Sequence, residues 1–491
     1  MPFRRPQPPL SEIQRWHRHS ARLALYGSLL IVAATAVGLA WTASFAFSRA
    51  AVDLDRSQDW FAVDWASLPE VQLFQHYLQV DTNAVDGNEA AGAEFLAQQL
   101  EAAGIPYHLE RLGARRANLW AILEGDDPSA IVLHHHMDVE PIYRPEAWRV
   151  PPFGGTIEPP WIYGRGAFDM KSLAIAQLWA FLELKRSGLH LSRSVIFLAT
   201  GSEERGSDFG TRWILRNHPE LVQRFGVVLT EGGVVEAVDR DHAKYWGIEV
   251  GQKRFVDLEV CSQSRERLEE LRDLANRNPR PVTGLTLLPE VAAFLPAYAT
   301  TRHDTELQAL LADPQQVLSD VAAFEKLPEY VRAMFRNELV VFPVEEDGGG
   351  GYRMIVKLHL LPDADAEAAR RQLLPDWMLW GFDTAWIDRP SAHHGSPADH
   401  PVVREMEALV AERYPEFKVG PYFLPWTATD SRFFRLAGIP SYGFSPFLIL
   451  TPDTLTGANP NERVALPGFV SGVQLYTELL QRLAAHPAGG S

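Results

Sequence analysis

The sequence predicts an α/β protein, with a mostly parallel sheet covered by helices on both faces, a smaller α+β lid domain interrupting it, and an N-terminal transmembrane helix ahead of both. Three observations carry this expectation. The short apolar runs "AIVL" (130–133), "SVIFLA" (194–199) and "GVVLT" (226–230) alternate with long helical patterns such as 169–188 and 207–218. That is the rhythm of strands joined by crossover helices. The texture changes near residue 251 and returns near 385, which marks an insert. Residues 23–48 carry no charge at all.

Taken in order, residues 1–22 form a basic tail, with Arg4, Arg5, Arg15, Arg18 and Arg22 against the single acid Glu12. The 23–48 stretch exceeds the roughly 20 apolar residues that a spanning helix needs. Tyr26 and Trp41 suit its interfaces. The basic flank predicts a single-pass membrane protein with a cytoplasmic N-terminus and an extracytoplasmic catalytic domain. A cleaved signal peptide would have a shorter apolar region, and a buried core helix would lack the basic flank. A helix opens at Pro69, and an amphipathic helix over 88–104 ends at Gly104. The strand and helix alternation follows, so that 55–250 forms the first part of the larger domain. Within 251–384, "KRFVDLEVCS" reads as an alternating strand. "NELVVFPVEE" and "YRMIVKLHLLP" flank Asp347 and four glycines as a hairpin. Residues 385–485 return to α/β texture, with "DHPVVREMEALVAERYP" as a helix and "IPSYGF" as a strand.

The length of 491 residues exceeds what one hydrophobic core usually serves. Lys and Arg number 46 against 62 Asp and Glu, a net charge of −16, which disfavours nucleic acid as a partner. Cys261 is the single cysteine, so no intrachain disulfide can form.

Each apolar run ends in residues able to bind a metal. "HHHMD" (134–138) follows the first, "TGSEE" (200–204) the second and "TEGG" (230–233) the third, while "GRGAFDMKS" (164–172) places Asp169 at a helix start. In open α/β sheets, ligands bind outside the carboxyl ends of the strands. One acidic pair would be read as a helix cap, and one glycine turn as a turn. Four such features at one end of one sheet point to a site. His136 and Asp138 lie two apart and share a face, so the aspartate can hydrogen-bond the imidazole and fix its tautomer. By the same parity His135 faces the opposite side and His134 lies one step deeper. Both are read as structural.

With these motifs in hand, the chain resembles metallopeptidase family twenty, the co-catalytic zinc exopeptidases and amidohydrolases. The resemblance rests on "HMDVEP" (136–141), "WRVPPFGG" (148–155), "YGRGAFDMKS" (163–172), "SEERG" (202–206), "TEGG", "TATDSRFF" (427–434), "IPSYGFSP" (439–446) and "NERV" (461–464). It is nearest to carboxypeptidase S and aminoacylase-like, N-acyl-amino-acid-hydrolysing members. The resemblance implies a zinc-exopeptidase-like fold in which His136, Asp169 and Glu231 bind one zinc, and Asp169 bridges to a second held by Glu204. It implies that Asp138 orients His136, that Glu203 is the general base acting on water, and that Arg432 grips a substrate carboxylate. The implied reaction is hydrolysis of a peptide or N-acyl amide bond beside a free carboxylate. The implied partners are a small peptide or N-acyl amino acid, the bilayer through the N-terminal helix, and a second copy through the lid.

The sequence departs from the family pattern at two places. The last zinc ligand of relatives, a histidine three residues before Asn-Glu-Arg, is here Ala458, and no histidine lies between His400 and His486. The lid histidine is also absent from "DLEVCSQSRERLEE" (257–270); His393 and His394 in "SAHHGSP" are candidates to substitute for it, with an ordinary exposed loop the preferred reading. One zinc site is therefore complete and the second is short of a ligand. Two readings stand at this point: a hydrolase working with one firmly held zinc, or a catalytically weak relative that binds such ligands without turnover.

Overall fold

The computed structural model describes residues 62–485 apart from 85–86, 238–242, 278–283, 389–390, 449–450 and 455. An antiparallel pair, β1 (Tyr107–Arg111) and β2 (Ala117–Leu123), leads into β3 (Asp127–His136). A small ribbon, β4 (Thr156–Glu158) and β5 (Trp161–Tyr163), precedes β6 (Arg193–Thr200), β7 (Phe225–Thr230), β8 (Val234–Ala237) and β9 (Ala243–Gln252). A second sheet contains β10 (Arg254–Ser262), β11 (Glu338–Val341), β12 (Glu345–Glu346), β13 (Tyr352–Leu360) and β14 (Asp383–Asp388). The chain then returns through β15 (Lys418–Leu424), β16 (Ser441–Gly443) and β17 (Arg463–Ala465), the last pairing with β5.

The nine-stranded first sheet runs β1-β2-β6-β3-β7-β16-β9-β15, with β8 beside β9. Strand β3 pairs in parallel with β6 and β7, β16 with β7, and β15 with β9. The pairs β1/β2, β2/β6, β8/β9 and β9/β16 are antiparallel. The sheet is therefore mixed, which corrects the expectation of a mostly parallel one. Five residues separate β1 from β2, too few for a parallel crossover of a dozen or more, so this pair must be a hairpin.

Alternation along the central strands explains the cover on both faces. Ile131 and Leu133 of β3, with Val195 and Phe197 of β6, pack against helices Pro69–Leu78, Ser172–Ser187 and Leu466–Ala485. Ala130 and Val132, with Ile196 and Leu198, face Ile214, Leu221 and Phe434 on the other side. Both faces are apolar, hence the near-continuous apolar runs in the sequence. The helices of 289–333 bury Phe294 and Tyr298 against Tyr245, Tyr422 and Phe423, so they cover the outer edge strand β15 of the first sheet.

The transmembrane helix expected over 23–48 lies outside the described residues. Among the described residues no helix is long and apolar enough to cross a membrane. The 20-residue helix Leu466–Ala485 illustrates why. One face is buried, and the other carries Glu478 and Arg482, paired at 2.6 Å. The fold class is accordingly corrected to a mixed α/β fold with several sheets and, among the described residues, no spanning helix. The single-pass membrane placement and the bilayer partner are withdrawn with it.

Candidate metal centre

Strands β3, β6 and β7 lie side by side, so their carboxyl ends deliver His136, the 201–204 turn and Glu231 to one place. Asp169 reaches it from the turn Ala167–Lys171, which leads into helix Ser172–Ser187. His136 Nε2 lies 3.2 Å from Asp169 Oδ1 and 3.7 Å from Glu231 Oε1. One ligand atom from each of these three residues falls within 4.8 Å of the others, a spacing that can hold a metal ion. His136 is 1 % exposed, and its Nδ1 donates to the backbone oxygen of Asp138 at 2.8 Å. That bond leaves Nε2 as the ring nitrogen that faces the carboxylates. An imidazole nitrogen with two carboxylate oxygens is a donor set that zinc accepts.

The charges agree with this reading. Burial works against a charged imidazole, yet Glu231, Asp169 and Asp138 outweigh it and hold His136 well above the ordinary histidine range. Burial also opposes ionisation of Asp169, but the His136 hydrogen bond keeps its carboxyl below the usual value. Glu231 is pushed up by burial. Glu204 is pushed well up by burial and then by the neighbouring Glu140 and Asp169. A pocket that crowds carboxylates around one nitrogen is one that a cation relieves.

Asp138 acts differently from the expectation. Its carboxylate stands 3.7 Å from His136 Nδ1, while its two oxygens accept the backbone N–H groups of Glu203 and Glu204, each at 3.0 Å. The reason is local. Ser202 adopts a left-handed φ of 68°, so the short helical turn Glu203–Arg205 starts abruptly and aims two unpaired N–H groups at β3. Asp138 thus orients His136 through its carbonyl and fixes the acidic turn through its side chain.

Glu203 does not belong to the three-residue cluster. It is 11 % exposed, 3.9 Å from Arg432 Nη2, and pushed well up by burial and then by Asp430. One oxygen of Glu204 is buried with no protein partner. The segment with His393 and His394 is a loop, but only His394 is exposed as expected. His393 is 5 % exposed, and burial lowers it to about 4, while His394 is exposed.

Sequence reasoning passed over Arg165 and Glu462. Their side chains are fully buried and paired at 2.7 Å. Glu462 also accepts the backbone N–H groups of Phe168 (2.8 Å) and Asp169 (3.1 Å). Arg165 lies in "YGRGAFDMKS" and Glu462 in "NERV", two of the motifs that carry the resemblance. Complementary charges inside two such motifs are the signal that pairs them.

Residues 132–482 match the sequence profile of peptidase family M20/M25/M40. Aminoacylase-1 of Sus scrofa is 25 % identical over 448 residues, spanning 86 % of this chain and 96 % of its own length. A family M20 metallo-carboxypeptidase from Sulfolobus solfataricus has a similar structure, with a TM-score of 0.65 at 16 % identity over 84 % of this chain and 99 % of its own. Human carnosine dipeptidase 1 superposes with a TM-score of 0.61 at 14 % identity, covering 84 % of this chain and 94 % of its own. The match takes in both the strand ends that converge on His136 and the distant Asn-Glu-Arg segment that holds Asp169. The chain therefore belongs to peptidase family M20/M25/M40 and is a hydrolase.

Proposed function

We propose that this protein is a zinc-dependent hydrolase that cleaves a peptide or N-acyl amide bond next to a free carboxylate. The observation that carries the reading is the convergence of His136, Asp169 and Glu231 beside a separate carboxylate, Glu203, and a guanidinium, Arg432. The similarity to aminoacylase-1 supports an acylated amino acid or a small peptide as substrate.

His136, Asp169 and Glu231 would hold the metal, which when bound polarises the scissile carbonyl and makes water acidic enough to attack at neutral pH. Glu203 takes the proton from the attacking water and passes it to the leaving nitrogen. Its place outside the ligand cluster and 3.9 Å from Arg432 suits that transfer. Arg432 grips the substrate carboxylate and, from its place beside Glu203, registers the scissile bond against the base. Arg432→Ala should raise KM for N-acyl amino acids by about 10–100-fold, the value of a charge-assisted hydrogen bond of ~1.5–3 kcal/mol. An unchanged KM would remove Arg432 from that role.

A second metal would rest on Asp169 and Glu204. Ala458 offers a methyl group and its carbonyl accepts from Arg165 at 3.2 Å, so no nitrogen ligand comes from that position. The proposal is one firmly held zinc and a second held weakly. Metal analysis of the full chain after dialysis tests it: a stoichiometry near one supports it, and a dialysis-resistant pair contradicts it.

Homodimerisation through the second sheet is also proposed. Among the described residues its edge strand β14 pairs only with β10, and Trp377 and Trp380, shortly before it in the chain, are 55 % and 75 % exposed. Trp380→Glu should convert a dimer to a monomer in sedimentation, and a wild-type chain that sediments as a monomer ends that proposal.

The direct test of the function is hydrolysis of a panel of dipeptides and N-acyl amino acids, with chelator and after zinc return. Chelation should abolish turnover and zinc should restore it. A chain inactive on the whole panel with zinc supplied would contradict the reading.

A further inference from the structure

His134 is the point at which the segments of the site meet. It is 1 % exposed, and both ring nitrogens have hydroxyl partners. Its Nδ1 lies 2.9 Å from Thr230 Oγ1, and its Nε2 lies 2.9 Å from Thr200 Oγ1 and 3.0 Å from Thr211 Oγ1. Thr230 immediately precedes Glu231, and Thr200 closes β6 ahead of Glu203. Thr211 Oγ1 in turn donates to Asp430 Oδ2 at 2.6 Å, and Ser207 Oγ donates to Asp430 Oδ1. Asp430 is 1 % exposed and sits two residues before Arg432.

Proton counting fixes the direction of this chain. Thr211 has one hydroxyl proton and gives it to the carboxylate, so its oxygen accepts from His134 Nε2–H. Nδ1 pairs with the Thr230 hydroxyl and Thr200 Oγ1 shares the Nε2 side, so the chain runs from Thr230 through His134 and Thr211 to Asp430. A buried network in which every member has a partner is stiff.

The segment between Glu203 and Thr211 is a closed loop. Asn118 Oδ1 accepts from Gly201 N at 3.1 Å, and Asn118 Nδ2 donates to Phe209 O at 2.9 Å. A Cβ on Gly210 would lie 1.8 Å from the oxygen of Gly201, so the loop's ends touch and only glycine fits there. Asp138 holds the near side of this loop, at the N–H groups of Glu203 and Glu204, and Asp430 holds its far side.

We propose that His134, Thr211 and Asp430 are positioning residues that couple the turn carrying Arg432 to the loop carrying Glu203. The grip on the substrate carboxylate and the base that acts on water are thereby kept at a fixed separation. None of the three touches substrate in this account. The inference rests on the roles proposed above for Glu203 and Arg432.

The test uses the full chain with zinc and an N-acyl amino acid substrate, and measures kcat, KM and bound metal for Thr211→Val, Thr211→Ser and Asp430→Asn. Thr211→Val keeps the shape and breaks the relay. It should lower kcat/KM per bound metal by about 10–100-fold, the cost of a misplacement near 1 Å. Thr211→Ser restores the hydroxyl and should restore most of the loss. Asp430→Asn should both lower kcat and raise KM, because it frees the base loop and the Arg432 turn together. Wild-type kcat and KM per bound metal in Thr211→Val and Asp430→Asn would overturn the coupling. So would a loss that only follows the fraction of folded, metal-loaded protein. Glu203→Gln serves as the control. If it stays active, the role proposed for Glu203 falls; if it is inert while Thr211→Val is normal, the coupling alone falls.

Discussion

Glu203→Gln should reduce turnover by about 10²–10⁴-fold, the share of a positioned general base, while the metal remains bound. The expectation follows from where Glu203 sits. It stands outside the His136, Asp169 and Glu231 cluster, so neutralising it removes no ligand from that set. Its backbone N–H is held by Asp138 and its side chain is 11 % exposed, so the near-isosteric amide should occupy the same place. Glutamine keeps the shape and cannot take a proton. Steady-state kinetics with metal analysis on the same sample reads both halves of the prediction. A variant that loses metal along with activity would make Glu203 a ligand, and one that keeps wild-type turnover would remove it from the chemistry.

Glu462→Ala should be the most damaging substitution away from the cluster itself. The Arg165–Glu462 pair is fully buried, and removing one partner of such a pair costs about 3–5 kcal/mol because the other charge stays behind. Arg165 would keep only the carbonyls of Pro141 (3.3 Å) and Ala458 (3.2 Å). The same substitution strips the acceptor from the N–H groups of Phe168 and Asp169, which set the turn that presents the Asp169 carboxylate. Metal affinity should therefore fall by about 10–100-fold, as it does when the supports of metal ligands are removed. Denaturant titration and zinc titration read the two losses separately. Lost stability with unchanged zinc affinity would mean that Asp169 is held in place by other contacts.

The sequence revealed the centre of the fold better than its edges. The runs in β3, β6 and β7 were legible because those strands are buried on both faces and read as continuous apolar stretches. Strand β1 (Tyr107–Arg111) was missed because it is an edge strand with polar, half-exposed residues. Missing the hairpin of β1 and β2, with the short antiparallel pairings around β8 and β16, is why the sheet was expected to be mostly parallel. At the site, the residues that meet were legible because each motif follows a strand end. What joins them was not. The Asp138 carboxylate on the Glu203 turn, the Glu462 carboxylate under Asp169 and the His134 relay all span long stretches of sequence. Spacing along the chain carries no trace of such contacts. The three consecutive histidines show this limit: His136 meets the carboxylates, His134 joins Thr200, Thr211 and Thr230, and His135 packs on Phe197 and bonds Gln177.

The central claim is that His136, Asp169 and Glu231 hold the metal that makes this chain a hydrolase. Metal content and hydrolysis of an N-acyl amino acid panel, compared between the wild-type full chain and His136→Ala, test it most directly. The account predicts firmly bound zinc and turnover in the wild type, with both lost in His136→Ala and turnover not rescued at zinc levels that saturate the wild type. Wild-type zinc content or wild-type turnover in His136→Ala would contradict it.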